Sequence, residues 1–307
     1  MKLCAIDCGT NTVLLTIAEL RGGALEPVIE RAEITRLGEG LAKSGVLNEA
    51  AIARTASAFA DYAALIAEHR CDRVMVVGTE ALRRANNGAV AVAAFDAALS
   101  SVGAKLEIIA GKREAQLSFD AVRGSFAHLA GTRTVVDIGG GSTELVVGEE
   151  RIEGVVSLPI GSVVLTEQYI AHDPPTAEER AALRNAIDVA LSAAPLLRGT
   201  VIGIAGTVTT YAAISLGMTD YDATRIHGME LSLAAIDLEV ERLGTMRVDD
   251  RRRTPGLAPK RADVIYAGGV ILSRILHRAD VASCIVSDRG IRWGLLYEAV
   301  AASLNGS

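Results

Sequence analysis

The sequence predicts a duplicated α/β fold, two similar domains of mixed sheet and helix, and three observations carry that reading. The first is a repeat. "AIDCGTNTVLL" at residues 5–15 and "VVDIGGGSTEL" at residues 135–145 follow one plan, with Asp7, Gly9 and Thr12 lying 130 residues before Asp137, Gly139 and Ser142. The second is the order of elements, which starts over at Arg133. The third is length, because 307 residues suit two domains of ~150 each better than a single core.

Each element follows from its local pattern. Residues 1–37 read as three strands (2–8, 12–20 and 25–36), with "RGG" turning the second into the third. An Ala-rich amphipathic helix runs from Asn48, its N-cap, to His69. "DRVMVVGTEALRRANN" gives strand, turn and short helix. After a further helix, "AKLEIIAG" is a strand leading into a helix near Lys112. The second copy has strands at 133–138, 143–149 and 152–159, helices from Ser162 and Thr176, and a strand at 200–204 that turns into a helix on Gly206. "DPP" (173–175) and "RVDDRRRTPGLAPKRAD" (247–263) read as loops.

In each copy an apolar strand reaches Asp, turns on Gly and resumes as a second strand. Glycine lets the backbone approach a ligand, and successive amides make a concave anion site. Thr10, Asn11, Thr12, Ser142 and Thr143 add donors suited to phosphate oxygens, beside Gly9, Gly139, Gly140 and Gly141. A carboxylate next to a phosphate loop repels phosphate itself. Asp7 and Asp137 therefore read as ligands, direct or through water, of a divalent cation that neutralises the phosphates. Gly206 and Thr207 in "GIAGT" supply further amides at a helix start.

Composition narrows the function. A net charge of −6 and a pI near 5.5 give no general basic field, which argues against nucleic acid or an anionic membrane as partner. No stretch approaches the ~18 apolar residues of a membrane span, and the start of the chain lacks a signal-type apolar core. Cys4, Cys8, Cys71 and Cys284 have no C-x-x-C spacing, and Cys4 and Cys8 lie on one face of one strand. They read as reduced thiols of a cytoplasmic protein. The five histidines have no metal-ligand spacing, and His227 reads as structural.

Two such hairpins and a "GxAGT" turn resemble the phosphate motifs of the actin, sugar kinase and heat-shock chaperone superfamily. The finer resemblance, over nearly the whole chain, is to the exopolyphosphatase and guanosine pentaphosphate phosphohydrolase (Ppx/GppA) family. It rests on "DCGTNT" (7–12), "RLGEGL" (36–41), "GTEALRRANN" (78–87), "IAGKREAQLSFDAV" (109–122), "GIAGTVTT" (203–210), "PKRADVIYAGGVIL" (259–272) and "DRGIRWGLL" (288–296). It implies two actin-like (ribonuclease H-like) domains around an interdomain cleft. The first spans 1–120, with a helix over 292–307 packing back on it, and the second spans 121–291. Longer relatives continue into a helical metal-phosphohydrolase region, so the chain resembles the short, two-domain branch, expected as a homodimer.

The resemblance implies Mg²⁺-dependent removal of a terminal phosphate from inorganic polyphosphate, or alternatively from guanosine pentaphosphate (pppGpp). An ATP-dependent kinase and a non-catalytic polyphosphate or alarmone sensor on the same fold are the other readings. In relatives the segment matching "GKREA" supplies the Glu that activates the attacking water, which falls on Glu114, and Arg83 matches an arginine that faces the phosphates. Glu144 is the alternative base. The chain departs from the pattern at Arg113, where many relatives carry Glu. That places a cation beside the base, able to lower its basicity or to contact phosphate. Arg247, Arg251, Arg252, Arg253, Lys260 and Arg261 are expected either to steer a polyanion or to form a solvated loop.

Overall fold

The computed structural model describes residues 1–305. The chain forms two compact units, Met1–Gly124 together with the C-terminal helix from Ile291, and Ser125–Gly290.

In the first unit β1 (Lys2–Cys8), β2 (Thr12–Arg21) and β3 (Ala24–Ile34) form an antiparallel meander, followed by α1 (Leu41–Ser44), α2 (Glu49–His69), β4 (Arg73–Gly78), α3 (Glu80–Arg84), α4 (Gly88–Leu99), β5 (Leu106–Ile108) and α5 (Gly111–Ser125). The sheet order is β3-β2-β1-β4-β5, with β1, β4 and β5 parallel. β1 is apolar on both faces because both are covered. Cys4, Ile6 and Cys8 pack into the core that includes Phe59, Phe95 and Leu106. Leu3 and Ala5 pack into the one that includes Leu117, Trp293 and Leu296. The Asn48 side chain caps α2 by accepting from Ala50 N at 2.8 Å.

In the second unit β6 (Arg133–Ile138), β7 (Thr143–Gly148) and β8 (Ile152–Leu158) repeat the meander. They lead to α6 (Ser162–Tyr169), α7 (Ala177–Leu191), β9 (Thr200–Ile204), α8 (Ala205–Ser215), α9 (Ala223–Ile226), β10 (Glu230–Ser232), α10 (Leu233–Thr245), α11 (Val248–Arg251), α12 (Ile265–Ala279) and β11 (Ser283–Val286). Here the order is β10-β11-β9-β6-β7-β8, with β6, β9 and β11 parallel. Setting β6 on β1 reproduces the first sheet, with β10 as an added edge. The sequence repeat is therefore a repeat of topology.

The sequence reading does not resolve α10, α12, β10 and β11. α12 is buried over its first half, and its polar residues, Ser273, Arg274, His277 and Arg278, come only in its second half, so little of it shows a polar face. Its glycines admit α8. A Cβ at Gly269 would stand 1.7 Å from the Tyr211 hydroxyl, and one at Gly268 would stand 2.8 Å from Thr207. The α8 start is set by that close approach.

The segment 247–263 is less of a loop than expected. It holds α11, and Arg251 is 1 % exposed. Arg251 Nε donates to Leu243 O at 2.8 Å, and its guanidinium lies over the Tyr266 ring, 5.5 Å from the centroid. It is a core arginine, and burial lowers its pKa. Arg252 and Arg253 pair with Asp249 and Asp250, as a solvated, self-neutralised surface does. The expected steering cluster therefore loses Arg251 to the core and two more charges to local pairs.

The last helix, α13 (Ile291–Asn305), completes the first unit. A Cβ at Gly294 would lie 2.2 Å from Leu117 O of α5. Gly294→Ala must push the two helices apart, and overpacking of this kind costs about 1–3 kcal/mol. Trp293, the single tryptophan, is 1 % exposed next to it. The variant should show a lower urea midpoint by tryptophan fluorescence than the parent; an unchanged midpoint contradicts this packing.

Candidate active site

The two glycine turns are one turn built twice. Gly9 N donates to Thr12 O at 3.0 Å, and Gly139 N donates to Ser142 O at 2.9 Å. Asp7 pairs with Leu14 across the ladder, and Asp137 pairs with Glu144. Each turn lies at the carboxyl ends of parallel strands, with Asp7 level with Val77 of β4 and Asp137 level with Ile204 of β9. Loops leaving those neighbours must therefore lie beside the turns.

A different segment occupies the carbonyl side of each turn. In the first unit Arg36 N donates to Asn11 O at 3.0 Å, and Gly38 N donates to Thr10 O at 2.8 Å. Gly38 has to be glycine there, because a Cβ would stand 2.3 Å from Thr10 Cγ2. In the second unit Ser162 N donates to Gly139 O at 3.0 Å, and Val163 N and Val164 N donate to Gly140 O at 2.9 and 3.1 Å. A Cβ at Gly161 would meet the Gly140 backbone at 2.4 Å. Among the described residues, the amides of Thr10, Asn11, Gly140, Gly141 and Ser142 meet no acceptor. What each turn leaves for a ligand is its row of N–H groups.

The hydroxyls divide. Thr10 and Ser142 are buried in their turns at 6 % and 4 % exposure, and Asn11 and Thr12 are half-buried. Thr143 is fully buried and donates to Ile160 O at 2.6 Å. Expected as a phosphate donor, it instead holds the loop, because its ladder position turns the hydroxyl inward. Glu144 is 2 % exposed and accepts from Ser157 Oγ at 2.6 Å. As the direct cross-strand neighbour of Asp137, it lies on the same sheet face.

Glu114 stands in the first turn of α5, 3 % exposed. Arg83 at the end of α3 reaches it, with Nη1 donating to Glu114 Oε1 at 2.5 Å and to Ile109 O at 2.6 Å. The other Nη of Arg83 donates to Glu80. Burial works against the guanidinium, but Glu114 first and then Glu80 more than offset it, raising its pKa above the ordinary arginine value. Sequence reading places Arg83 against phosphate. Its position beside Glu114 fixes where that carboxylate points.

Arg113 does not sit as a free cation beside Glu114. It makes a bidentate pair with Glu298 of α13, at 2.5 Å through Nη1. Glu298 first, over a smaller effect of partial burial, raises its pKa. The departure from the relatives' pattern is thus matched by a partner on the last helix. Neither expected effect, lowered basicity or a phosphate contact, is needed to explain it.

At the start of α8, Ala205 adopts φ 67°, a left-handed conformation that L-residues pay to hold. Thr207 is 5 % exposed. A Cβ at Gly206 would stand 1.8 Å from Arg261 Nη1, so the Arg261 guanidinium lies across this turn. Removal from water lowers its pKa. Arg261 stands among loop charges in the sequence, and the bare glycine in "GIAGT" is what makes this placement possible. His227 pairs with Asp288 at 2.8 Å and stacks on Phe126 at 4.8 Å between centroids, a structural role.

Among the described residues no cluster of three or more His, Cys, Asp or Glu has metal-holding geometry, and no helix is long and apolar enough to cross a membrane. The donor set, one hard carboxylate beside each amide row, suits a hard divalent cation that takes oxygen ligands.

Two mixed sheets, each carrying an acid-led amide turn, with a buried carboxylate held by arginine, define a phosphate-handling enzyme of the actin-like class. The model of the Ppx/GppA phosphatase family matches residues 16–303, and the chain belongs to that family. It is a hydrolase acting on phosphoric anhydride bonds. Exopolyphosphatase 2 of Mycobacterium tuberculosis is 37% identical over 309 residues, covering 96% of this chain and 97% of the relative. The solved Ppx/GppA family member of Aquifex aeolicus is 35% identical, with a TM-score of 0.83, covering 100% of this chain and 99% of that one. A guanosine-5'-triphosphate,3'-diphosphate pyrophosphatase of Photobacterium profundum is 29% identical, covering 96% of this chain and 58% of the relative.

If Arg83 positions Glu114, its loss should reach the chemical step. Arg83→Met is expected to lower kcat at saturating substrate as well as to raise KM. A variant with parent kcat and only a raised KM would leave Arg83 as a phosphate contact alone.

Proposed function

We propose that the chain is an exopolyphosphatase that hydrolyses the terminal phosphate from inorganic polyphosphate with Mg²⁺. The observation that carries this reading is the duplicated amide row. Each of the two turns, built on one plan, has unfilled N–H groups and a neighbouring carboxylate, a donor set that suits the oxygens of phosphoric anhydrides. A long polyanion is bound by dipoles that cost little desolvation, and Mg²⁺ offsets its charge when bound.

Within this reading Asp7 and Asp137 hold the cation, directly or through water. Gly9, Thr10, Asn11, Thr12, Gly139, Gly140, Gly141 and Ser142 bind phosphate oxygens, and Thr143 supports that loop. Gly206, Thr207 and Arg261 form a further anion contact. A guanidinium laid on the positive end of α8 puts like poles together, an arrangement that an incoming phosphate relieves. Glu114 takes the proton of the attacking water, Arg83 holds its orientation, and Glu144 is the reserve carboxylate.

A second reading, hydrolysis of guanosine pentaphosphate, is favoured by the name of the Photobacterium relative, because both substrates end in a linear run of phosphoric anhydrides. An exopolyphosphatase that this chain matches nearly end to end supports polyphosphate as the first reading.

Phosphate release should be measured with Mg²⁺ and polyphosphate of several lengths, guanosine pentaphosphate, or ATP with acceptors. The expected ranking is polyphosphate above guanosine pentaphosphate, with no acceptor-dependent transfer. Asp7→Asn and Asp137→Asn should each remove most turnover and raise the Mg²⁺ needed for what remains. A preference for guanosine pentaphosphate selects the second reading, and a variant with parent Mg²⁺ dependence frees that carboxylate from the metal.

A further inference from the structure

Two of the four cysteines lie together, far apart in sequence and away from the glycine turn. α2 ends at His69, and Arg70 in the left-handed region (φ 50°) turns the chain back, so that Cys71 N bonds to Ile66 O at 3.3 Å. The next residue is fastened to the start of β1. Lys2 N donates to Asp72 Oδ2 at 2.7 Å, and Asp72 N donates to Lys2 O at 2.8 Å. Parallel register then sets Cys4 level with Val74. Cys4 faces the layer that α2 covers, and Cys71 enters from α2 on that same side. Cys71 packs on the cluster that contains Cys4, and each thiol shifts the ionisation of the other.

Their exposures differ in a useful way. Cys4 is fully buried, whereas Cys71 is half-buried and open to solvent. The Cys4 thiol, by hydrogen bonding, holds Cys71 below the ordinary cysteine pKa against its partial burial, and Lys2 adds to this. The bond to Cys71 and then burial push Cys4 up. The other two cysteines give an internal contrast, because burial pushes Cys8 up and Cys284 up to about 12. Nucleophilic thiolate forms first at the one accessible position.

We propose that Cys4 and Cys71 are a dithiol that a hydroperoxide converts to an intramolecular disulfide. The Cys71 thiolate attacks the peroxide, an S–O bond forms as the O–O bond breaks, and the other oxygen leaves as alcohol or water after taking a proton. The resulting sulfenic acid is attacked by the Cys4 sulfur, the S–S bond forms as the S–O bond breaks, and water leaves with the Cys4 proton. Two thiols are oxidised by two electrons and one peroxide is reduced. The bridge ties β1, the strand that carries Asp7, to the corner between α2 and β4. It joins two side chains of one packed layer, so the fold is retained and a dithiol reductant reverses the change.

The test treats the full chain with hydrogen peroxide, alkylates it after denaturation and maps the peptides by mass. The expected product is lighter by two hydrogens, has Cys8 and Cys284 alkylated, carries a peptide linking Cys4 to Cys71, melts higher than the reduced form and returns to it with dithiothreitol. Cys71→Ser, at the half-buried turn, should lose the crosslink without losing the fold. Cys4→Ala should leave Cys71 to proceed to sulfinic acid. Parent protein that accumulates Cys71 sulfinic acid with Cys4 still alkylated, or that yields four alkylated thiols, overturns the proposal.

Discussion

Backbone amides can hold a polyanion only if the carbonyls of the same turn are satisfied elsewhere, because every peptide presents both poles. The structure meets this constraint in the same way twice. In the first unit the segment that follows β3 closes the carbonyl side through Arg36 and Gly38. In the second unit the start of α6 does so through Ser162, Val163 and Val164. Both closures need a glycine for close approach, Gly38 in one and Gly161 in the other. Sequence segments that look unrelated, "RLGEGL" and "GSVVL", thus perform one task. The acids at Asp7 and Asp137 are placed by strand register, not by the turns themselves.

Around that frame, the arginines are sorted by what neutralises them. Arg83 is held between Glu80 and Glu114, Arg113 by Glu298, and Arg251 by backbone carbonyls and a tyrosine face. Arg261 differs, because its neighbour is the bare glycine at the start of a helix. A cation at the positive end of a dipole is an unfavourable placement in isolation. Its place at a turn beside the amide row of its own unit is what makes it a phosphate contact in the proposed function.

Much of this was legible in the sequence because the requirements are local. An Asp, a Gly two residues on and a hydroxyl three further on define the turn within six residues, and repetition at a fixed offset marks it as design. The sheet order then follows from the repeated order of strands. What was not legible depends on distant partners. Arg83 and Glu114 are 31 residues apart, and Arg113 and Glu298 are 185 apart, so no spacing rule joins them. Arg251 sits in a run of charges that reads as a solvated loop, and only tertiary packing takes it inside. Thr143 reads as a phosphate donor from its neighbours Gly141 and Ser142, but its place at the start of β7 turns the hydroxyl toward Ile160 O. α12 confines its polar residues to its second half, so its buried first half shows little helical period.

The central proposal is that Glu114, buried and held by Arg83, takes the proton of the water that attacks a terminal phosphate. It is tested most directly by single-turnover hydrolysis of polyphosphate in ¹⁸O-labelled water, for the parent and for Glu114→Gln. The account predicts one ¹⁸O in each orthophosphate released by the parent. In the variant the rate should fall by ~10²–10⁴-fold, the contribution typical of general base catalysis, while polyphosphate binding persists. Labelled phosphate formed by the variant at the parent rate, or parent product without the label, would contradict it.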